Sequence, residues 1–465
     1  MSAMTRLRPR MEQNLPQRLA KSANLRDAGH SMRTRDVAQW LENRTRAHHF
    51  AVERIPFGKL DGWFFAEDTG NLVHESGRFF SVEGLSVTSS EGPFGHWEQP
   101  IIRQPEAGIL GIVVKEFDGV LHFLMQAKLE PGNRNLLQLS PTVQATRSNY
   151  SRVHQGAQVR YLDHFTRPDR GRVLYDIRQS EHGSWFYRKA NRNMLVEAVG
   201  EVEEHEDFCW LTLGQIGELL HRDNVINMDA RTVLACLPTD DAGASALYSD
   251  AQFKSWITRE RSGHDLEARL VPLSGIAGWE LDDDVLARPD GRFFRVVAVS
   301  VQAGSREVPA WTQPLFEPED TGVTAFLFRR IGGVVHLLVR ARAEAGFLDT
   351  IELGPTVQCT TRNWDQVEPS QRPPFLDEVL AASPERVRYE AVHSEEGGRF
   401  LYAESRYMFV EADEAMAPLE PPAGFQWCTP GQLSALTAHG HYVNVQARTL
   451  LSCLSTGAVR LEDAV

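Results

Sequence analysis

The sequence has little of several features that would assign a function class directly. It has five cysteines in 465 residues, with no Cys-x-x-Cys pair and no Cys/His spacing typical of a zinc site. It contains no apolar run of about 18 residues, so no membrane-spanning helix is predicted. Its 49 basic side chains are outnumbered by 62 acidic ones, giving a net charge of −13. Binding to nucleic acid without sequence preference needs a positive field, so we expect no nucleic-acid partner. The few cysteines are typical of a reducing compartment, so we expect a cytoplasmic chain with free thiols.

Motifs of the commonest catalytic folds are also missing. The sequence has no GxxxxGK[ST] loop, no GxGxxG after a strand, no GxSxG elbow and no HExxH. P-loop ATPases, Rossmann enzymes, α/β-hydrolases and zincins therefore have no local support. Residues 1–33 are basic but lack the apolar segment of a secretory signal, and we expect a poorly ordered leader there.

The most informative feature is an internal repeat. Residues 97–150 align with residues 311–364 at a constant offset of 214, and 18 of the 54 pairs are identical. Ordinary composition would give roughly three identities by chance. The densest match is Pro-Thr-Val-Gln, at 141–144 and 355–358. A period this long indicates a duplicated domain rather than a solenoid.

The repeat divides the chain into four parts. They are a leader (1–33), copy one (34–238), a linker (239–249) and copy two (250–465). In copy one we predict a helix over 35–46 with Thr34 as its N-cap, and strands over 109–117 and 120–126 joined by a turn at Asp118-Gly119. Further strands are predicted over 141–146, 184–189 and 194–198, and helices over 213–220 and 229–236. In copy two the first helix is predicted over 250–261. This pattern favours an α+β unit with a mixed sheet and flanking helices.

The differences between the copies indicate where chemistry belongs, because each copy serves as a control for the other. Two segments of copy one carry polar groups that copy two replaces: AKLEPGNRNLLQLSPTVQATRSNYSRVH and SEHGSWFYRKANRNMLVE. Arginines beside aromatic residues suit a phosphorylated ligand with a planar base, because guanidinium binds phosphate oxygens and an aromatic face stacks a nucleobase.

These segments, with WEQPIIRQPEAGILGI and VINMDARTVLACL, resemble the NDP-hexose 2,3-dehydratases of deoxysugar biosynthesis in antibiotic-producing bacteria. The resemblance covers roughly residues 36–455. It implies two tandem Nudix-like domains from gene duplication, usually in a homodimer, and a dTDP-4-keto-6-deoxyhexose substrate. Neither copy has the Gly-Glu-Arg-Glu-Glu box that holds metal in Nudix hydrolases, so no metal is expected and no cofactor is consumed. Copy two departs from the family at Ala345-Gly346-Phe347, where a Pro-Gly-Asn-like run is usual.

The resemblance implies a reaction that needs a base, an acid and a donor to an oxyanion. We predict His154 as the base and Tyr150 as the proton donor or oxyanion partner. Lys128 would lower the pKa of a tyrosine or stabilise the enolate, and Glu130 is the rival base. The predicted substrate contacts are Asn133, Arg134, Gln144, Thr146, Arg147, Asn149, Trp185, Tyr187, Arg188, Asn191 and Arg192. Of these, Arg147, Arg188 and Arg192 are the diphosphate candidates, and Trp185 or Tyr187 would stack thymine.

Two alternatives stay open at this point. A Nudix-type hydrolase of nucleotide sugars would need a divalent metal and would release dTMP or dTDP. A non-catalytic nucleotide-sugar binding protein would bind without turnover. The dehydratase interpretation also predicts an unstable diketo product, and hence a 3-ketoreductase as a pathway neighbour. The sequence does not decide which copy holds the catalytic pocket, because a pocket can borrow residues from the other copy.

Overall fold

The computed structural model describes residues 14–90, 95–146, 159–239, 245–304, 310–365 and 367–462. Its α-helices are α1 (Leu15–Asn24), α2 (Val37–Ala47), α3 (Asp163–Thr166), α4 (Leu213–Leu220), α5 (Met228–Leu234), α6 (Asp250–Gly263), α7 (Leu376–Leu380), α8 (Pro430–Thr437) and α9 (Val445–Ser455). Among the described residues, no helix is both long enough and apolar enough to cross a membrane.

The strands fall into two similar series. In copy one they are β1 (Phe50–Ile55), β2 (Trp63–Phe65), β3 (Leu72–His74), β4 (Ser81–Ser89), β5 (His96–Arg103), β6 (Ile109–Phe117), β7 (Val120–Leu129), β8 (Leu137–Ser140), β9 (Val143–Ala145), β10 (Gly171–Ser180), β11 (Ala190–Ala198) and β12 (Phe208–Leu211). In copy two they are β13 (Leu266–Val271), β14 (Glu280–Leu281), β15 (Val285–Ala287), β16 (Phe294–Ala303), β17 (Ala310–Pro318), β18 (Gly322–Ile331), β19 (Val334–Ala343), β20 (Ile351–Gly354), β21 (Val357–Thr360), β22 (Val387–Ser394), β23 (Glu404–Glu411) and β24 (Phe425–Cys428).

Each copy builds a seven-stranded mixed sheet of the same topology. In copy one the order is β10-β11-β6-β7-β12, with β8 added to β7 and β9 to β6; in copy two it is β22-β23-β18-β19-β20, with β21 added to β18 and β24 to β19. The pairs β6–β11 and β18–β23 are parallel, and the other pairings are antiparallel. These sheets carry the residues of both candidate pockets.

Two smaller sheets exchange a strand between the copies. Strand β1 of copy one pairs with β16 of copy two, and β13 of copy two pairs with β4 of copy one. The two copies therefore complete each other's sheets, and the largest apolar cluster contains residues of both copies. The linear repeat contained no signal for this exchange, because a strand has the same sequence whichever neighbour it pairs with.

Most predicted elements of copy one are found. Strand β6 and helix α4 have the predicted bounds, and β7 begins as predicted but runs on to Leu129. Asp118 and Gly119 both have positive φ, 49° and 71°, as the predicted tight hairpin turn requires. The first helix of copy two runs over Asp250–Gly263 and is capped by Ser249.

Three expectations were wrong. Thr34 does not cap α2; its hydroxyl donates to the carbonyl of Arg26, and a 3₁₀ turn over Thr34–Asp36 leads into the helix. Residues 184–189 form no strand. They are a loop that contacts the other copy. Much of the leader is ordered, since α1 buries Leu15 and Leu19 against copy one.

Candidate functional site

The loops that follow β10 and β22 cross from one copy into the other. We call residues 180–189 the first Ser-Glu loop and residues 394–403 the second. The amide of Gly132 donates to the carbonyl of Gly397 at 2.7 Å, and the amide of Tyr402 donates to the carbonyl of Gly132 at 2.7 Å. In the reciprocal contact, the amide of Gly346 donates to the carbonyl of Gly183 at 2.7 Å. Each Ser-Glu loop is therefore held by backbone hydrogen bonds to the other copy.

A buried arginine fixes the start of each Ser-Glu loop. Arg231 of α5 donates to the carbonyl of Ser394, and Arg448 of α9 donates to the carbonyl of Ser180. Both arginines are fully buried. Each also contacts a threonine of the other helix: Arg448 Nε lies 2.7 Å from Thr232 Oγ1, and Arg231 Nε lies 3.3 Å from Thr449 Oγ1. These four residues lock the two copies together behind the pockets.

We expect Arg231→Met to lower the free energy of unfolding by roughly 2–3 kcal/mol, because it leaves buried carbonyl oxygens without a donor. Urea titration followed by tryptophan fluorescence measures the change. The control is Arg35→Met, since Arg35 is exposed and its ion pair with Asp36 lies at the surface. Equal unfolding midpoints for the two variants would contradict this role of Arg231.

A dense group of charges lies where the second Ser-Glu loop meets the mixed sheet of copy one. We call it the first-copy cluster. Its members are Lys128, Glu130, Glu181, Lys189, Asp229, Glu396 and Arg399. The first five belong to copy one, and Glu396 and Arg399 come from copy two. Four carboxyl groups among three cations, most of them buried, are a costly arrangement unless it serves a ligand or a reaction.

Glu130 is held rigidly inside this cluster. Its Oε1 accepts from Gln144 Nε2 at 2.8 Å and lies 3.5 Å from Lys128 Nζ. Its Oε2 accepts from Asn133 Nδ2 at 3.2 Å and from Asn227 Nδ2 at 3.4 Å. A carboxylate with this many donors is fixed in position, which suits organising the site better than carrying a proton to a substrate.

Glu181 and Glu396 are less completely bonded. Asn191 Nδ2 donates to Glu181 Oε1 at 2.7 Å, and the amide of Gly398 donates to Glu396 Oε1 at 3.1 Å. The Oε2 atoms of both glutamates are inaccessible to solvent and accept no hydrogen bond from the described residues. Each glutamate therefore has one buried oxygen without a donor among the described residues.

The cluster shifts the pKa values of its members. Burial, followed by the charges of Glu130 and Glu181, raises the pKa of Glu396 to about 7, against the opposing effect of Arg399. Burial raises the pKa of Asp229 well above its usual value, and Glu130, Glu181 and Glu396 add to that rise. Burial lowers the pKa of Lys189 to about 8. Groups that titrate near neutral pH can exchange protons with a substrate.

The corresponding position in copy two is closed by internal bonds. Glu395, the counterpart of Glu181, accepts from His182 Nε2 at 2.9 Å, from Ser405 Oγ at 2.7 Å and from Tyr407 OH at 2.9 Å. Hydrogen bonding and the charge of His182 lower the pKa of Glu395 despite its burial. Its oxygens are therefore occupied by protein groups.

Copy two nevertheless has a large cavity, of about 880 Å³, beside this network. Its lining includes aromatic residues and arginines from copy two, with Trp97 and Trp185 contributed by copy one. Trp185 packs edge-to-face against Phe400, with ring centroids 4.4 Å apart. The first Ser-Glu loop thus carries Trp185 away from the polar residues of copy one with which the sequence grouped it.

The predicted site residues fall into three groups. Lys128, Glu130, Asn133, Gln144 and Asn191 are brought together in the first-copy cluster and its hydrogen bonds. Thr146 lies two residues after Gln144, directly after the end of β9. The predicted base His154, the predicted acid Tyr150, and Arg147 and Asn149 lie outside the described residues.

The remaining predicted residues lie away from the cluster. Arg134 pairs with Glu404 at 3.1 Å, Arg192 pairs with Asp176 at 2.5 Å, and Arg188 is exposed beside the ring of Tyr187. The alternation of the strand explains Arg192, since Asn191 and Arg192 face opposite sides of β11. Their predicted roles in substrate binding stay predictions.

Sequence analysis missed Glu181, Lys189, Asp229, Glu396 and Arg399 as site residues. One signal was present: the loops read Ser-Glu-His-Gly and Ser-Glu-Glu-Gly, so the third position is His182 in copy one and Glu396 in copy two. Because the loops cross between the copies, the glutamate of copy two enters the pocket of copy one. Only the fold shows this crossing. Among the described residues, no group of three or more His, Cys, Asp or Glu side chains has the geometry to hold a metal ion.

Comparisons with known proteins agree on one family. The family model for NDP-hexose 2,3-dehydratase matches residues 34–237 and again residues 250–454. A protein of Amycolatopsis orientalis named dTDP-4-dehydro-6-deoxy-alpha-D-glucopyranose 2,3-dehydratase is 56% identical over 463 residues, covering 98% of both chains. A protein of the same name from Saccharopolyspora spinosa is 50% identical over 437 residues, covering 89% of this chain and 90% of its own. A third, from Streptomyces violaceoruber, is 49% identical over 439 residues, covering 91% and 98%.

Proposed function

The chain belongs to the NDP-hexose 2,3-dehydratase family, and from this premise we propose that it removes water across C2 and C3 of dTDP-4-keto-6-deoxy-D-glucose. The product is dTDP-3,4-diketo-2,6-dideoxy-D-glucose, an intermediate of deoxysugar biosynthesis. The observation that carries this proposal is identity of 56% over 98% of both chains to a relative named for that reaction.

The chemistry follows from the ketone at C4. The ketone acidifies the C3 hydrogen, and when a base removes this hydrogen the electron pair forms an enolate with its charge on the C4 oxygen. The C2–O bond then breaks, and the departing hydroxyl takes a proton from an acid and leaves as water. The resulting enol takes a proton at C2 and becomes the 3,4-diketone. C3 is oxidised as C2 is reduced, so no redox cofactor is consumed.

The first-copy cluster supports a location for this chemistry. It combines two buried carboxylate oxygens that accept no hydrogen bond from the described residues, Glu181 Oε2 and Glu396 Oε2, with cations that can stabilise a developing negative charge. In copy two the equivalent carboxylate, Glu395, is occupied by protein donors. We therefore propose that the catalytic pocket lies in copy one and that copy two completes it.

Several finer features belong to the same proposal. Each mixed sheet with its helices is proposed to be a Nudix-like domain, and the chain to act as a cytoplasmic homodimer. A 3-ketoreductase is the proposed consumer of the unstable diketone, and glycosylation of an antibiotic the proposed destination of the sugar. His154 remains the proposed base and Tyr150 the proposed proton donor or oxyanion partner; both lie outside the described residues.

The proposal predicts turnover of dTDP-4-keto-6-deoxyglucose both with and without EDTA. A 3-ketoreductase with NADPH would trap the product, and mass spectrometry would detect the 2,6-dideoxy sugar. Release of dTMP or dTDP only without EDTA would instead identify a metal-dependent hydrolase. An unchanged substrate that raises the melting temperature would indicate a binding protein.

A further inference from the structure

The catalytic pocket proposed in copy one contains a proton-carrying group that the other copy supplies. We infer that Glu396 is the general acid that protonates the departing C2 hydroxyl. This inference rests on the proposed function and deepens it. It gives copy two a direct part in the reaction.

Glu396 lies where copy two contacts copy one. Glu396 belongs to the second Ser-Glu loop, which the hydrogen bonds of Gly132 dock against copy one. A Cβ atom built on Gly397 would lie 2.4 Å from Asn133 Oδ1, which shows how closely this loop meets the donors around Glu130. The Oε2 atom of Glu396 is buried and accepts no hydrogen bond from the described residues, whereas its Oε1 is bonded by Gly398.

Several charged groups surround the carboxyl group of Glu396. Glu181 faces it from the end of β10, Glu130 and Lys128 from β7, Asp229 from α5, Lys189 from the segment before β11, and Arg399 from its own loop. The negative groups disfavour a second ionised carboxylate at this place, and burial acts in the same direction. The pKa of Glu396 is consequently raised to about 7. A carboxyl group that stays protonated near neutral pH can donate a proton to a leaving group.

The two copies have different residues at the position of Glu396. The residue equivalent to Glu396 is His182, which is 3% exposed and bonded to Glu395. A histidine there gives the carboxylate opposite a hydrogen-bond partner, whereas a glutamate adds a second carboxyl group, and neighbouring carboxyl groups resist losing both protons. The exchange of His for Glu therefore favours a protonated carboxyl group in copy one and a hydrogen-bonded carboxylate in copy two.

The step is balanced in protons and electrons. Glu396 gives its proton to the hydroxyl oxygen at C2, the C2–O electron pair leaves with that oxygen, and the enolate electrons form the C2–C3 double bond. Water departs and Glu396 is left ionised. The proton that the base took from C3 balances this loss, and solvent exchange returns both groups to their starting states.

The test separates proton removal at C3 from loss of the hydroxyl. In D₂O, Glu396→Gln should still exchange the C3 hydrogen of dTDP-4-keto-6-deoxyglucose for deuterium, read by NMR and by a mass gain of one. Its dehydration rate should fall about 10²–10⁴-fold, the usual contribution of general acid catalysis. Glu396→Asp keeps the carboxyl group and should retain part of the activity.

The pH profile gives a second readout. For the wild type, kcat/KM should fall above about pH 7 as Glu396 loses its proton. Between pH 7 and 8 this decline should persist in Glu396→Asp and be absent from the residual activity of Glu396→Gln. Because the pKa of Glu396 is raised in the folded state, its contribution to stability falls as the pH rises from the ordinary glutamate pKa to about 7, and stays low above that. The neutral glutamine should therefore not lower the melting temperature at pH 8, whereas loss of a structural carboxylate would lower it.

Each contrary result is distinct. Wild-type dehydration by Glu396→Gln would overturn the inference, and so would loss of both C3 exchange and dehydration in a folded variant, which would make Glu396 the base or a positioning residue. If Glu396→Gln does not fold, wild-type activity in Glu396→Asp without the decline above pH 7 would overturn it. Failure of the wild type to dehydrate the substrate would refute the proposed function itself.

Discussion

Replacing Lys189 with methionine is expected to lower kcat/KM about 10²–10³-fold while the protein stays folded. Lys189 is 6% exposed, and its neighbours include the carboxyl groups of Glu181 and Glu396. We expect a cation in this position to stabilise the negative charge that develops on the C4 oxygen, and loss of one such group commonly costs a factor of this size. Trapping the product with a 3-ketoreductase measures the change, and Lys254→Met on the exposed face of α6 is the control.

Lys189→Arg tests the charge separately from the side chain's shape. Because burial lowers the pKa of Lys189 to about 8, the wild type loses this cation as the pH rises through 8. A plot of log kcat/KM against pH for the wild type should then have a slope of −1 between pH 7 and 8, where Glu396 loses its proton. Above pH 8, where Lys189 also loses its proton, the slope should be −2. Arginine stays protonated, so Lys189→Arg should keep a slope of −1 above pH 8. An unchanged slope of −2 would show that Lys189 is not the group titrating there.

The sequence predicted the local structure well where a short-range signal determines it. The Asp118-Gly119 turn follows from turn chemistry, strand β6 from a run of apolar residues, and helix α4 from its N-cap Thr212. The segment 184–189 misled the prediction, because Trp185 and Phe186 look like strand residues but pack against the other copy. Aromatic residues in a sequence indicate that a segment is buried, but they do not distinguish a strand from a loop.

The candidate site was predicted in part for the same reason. Lys128, Glu130, Asn133 and Gln144 lie within 17 residues of one another in the sequence and also meet in space. Glu396 lies 266 residues from Glu130, and only the crossing of the Ser-Glu loops brings it near. A comparison of the copies at equal positions treats each as a separate unit, whereas the structure shows that each pocket combines residues of both.

The crossing depends on a glycine at one position of each copy, which makes Gly132→Ala the most damaging small substitution that we predict. A Cβ atom at Gly132 would lie 1.7 Å from the carbonyl oxygen of Phe400 and 2.7 Å from that of Gly397. No rotamer change can relieve a clash with backbone atoms, so the loops must separate. We expect the free energy of unfolding to fall by at least about 3 kcal/mol, at the upper end of the cost of overpacking.

Urea titration of Gly132→Ala and Gly58→Ala provides a matched comparison, because a Cβ at Gly58 would meet no atom within 4 Å. The two variants add the same methyl group, so a lower unfolding midpoint in Gly132→Ala alone isolates the contact between the copies. Loss of that contact also displaces the loop that carries Glu396. The dehydration rate of Gly132→Ala should therefore fall even without urea and at low temperature, where the variant stays folded. Equal midpoints and equal activities would mean that the copies meet differently, and that Glu396 has no fixed place in the pocket of copy one.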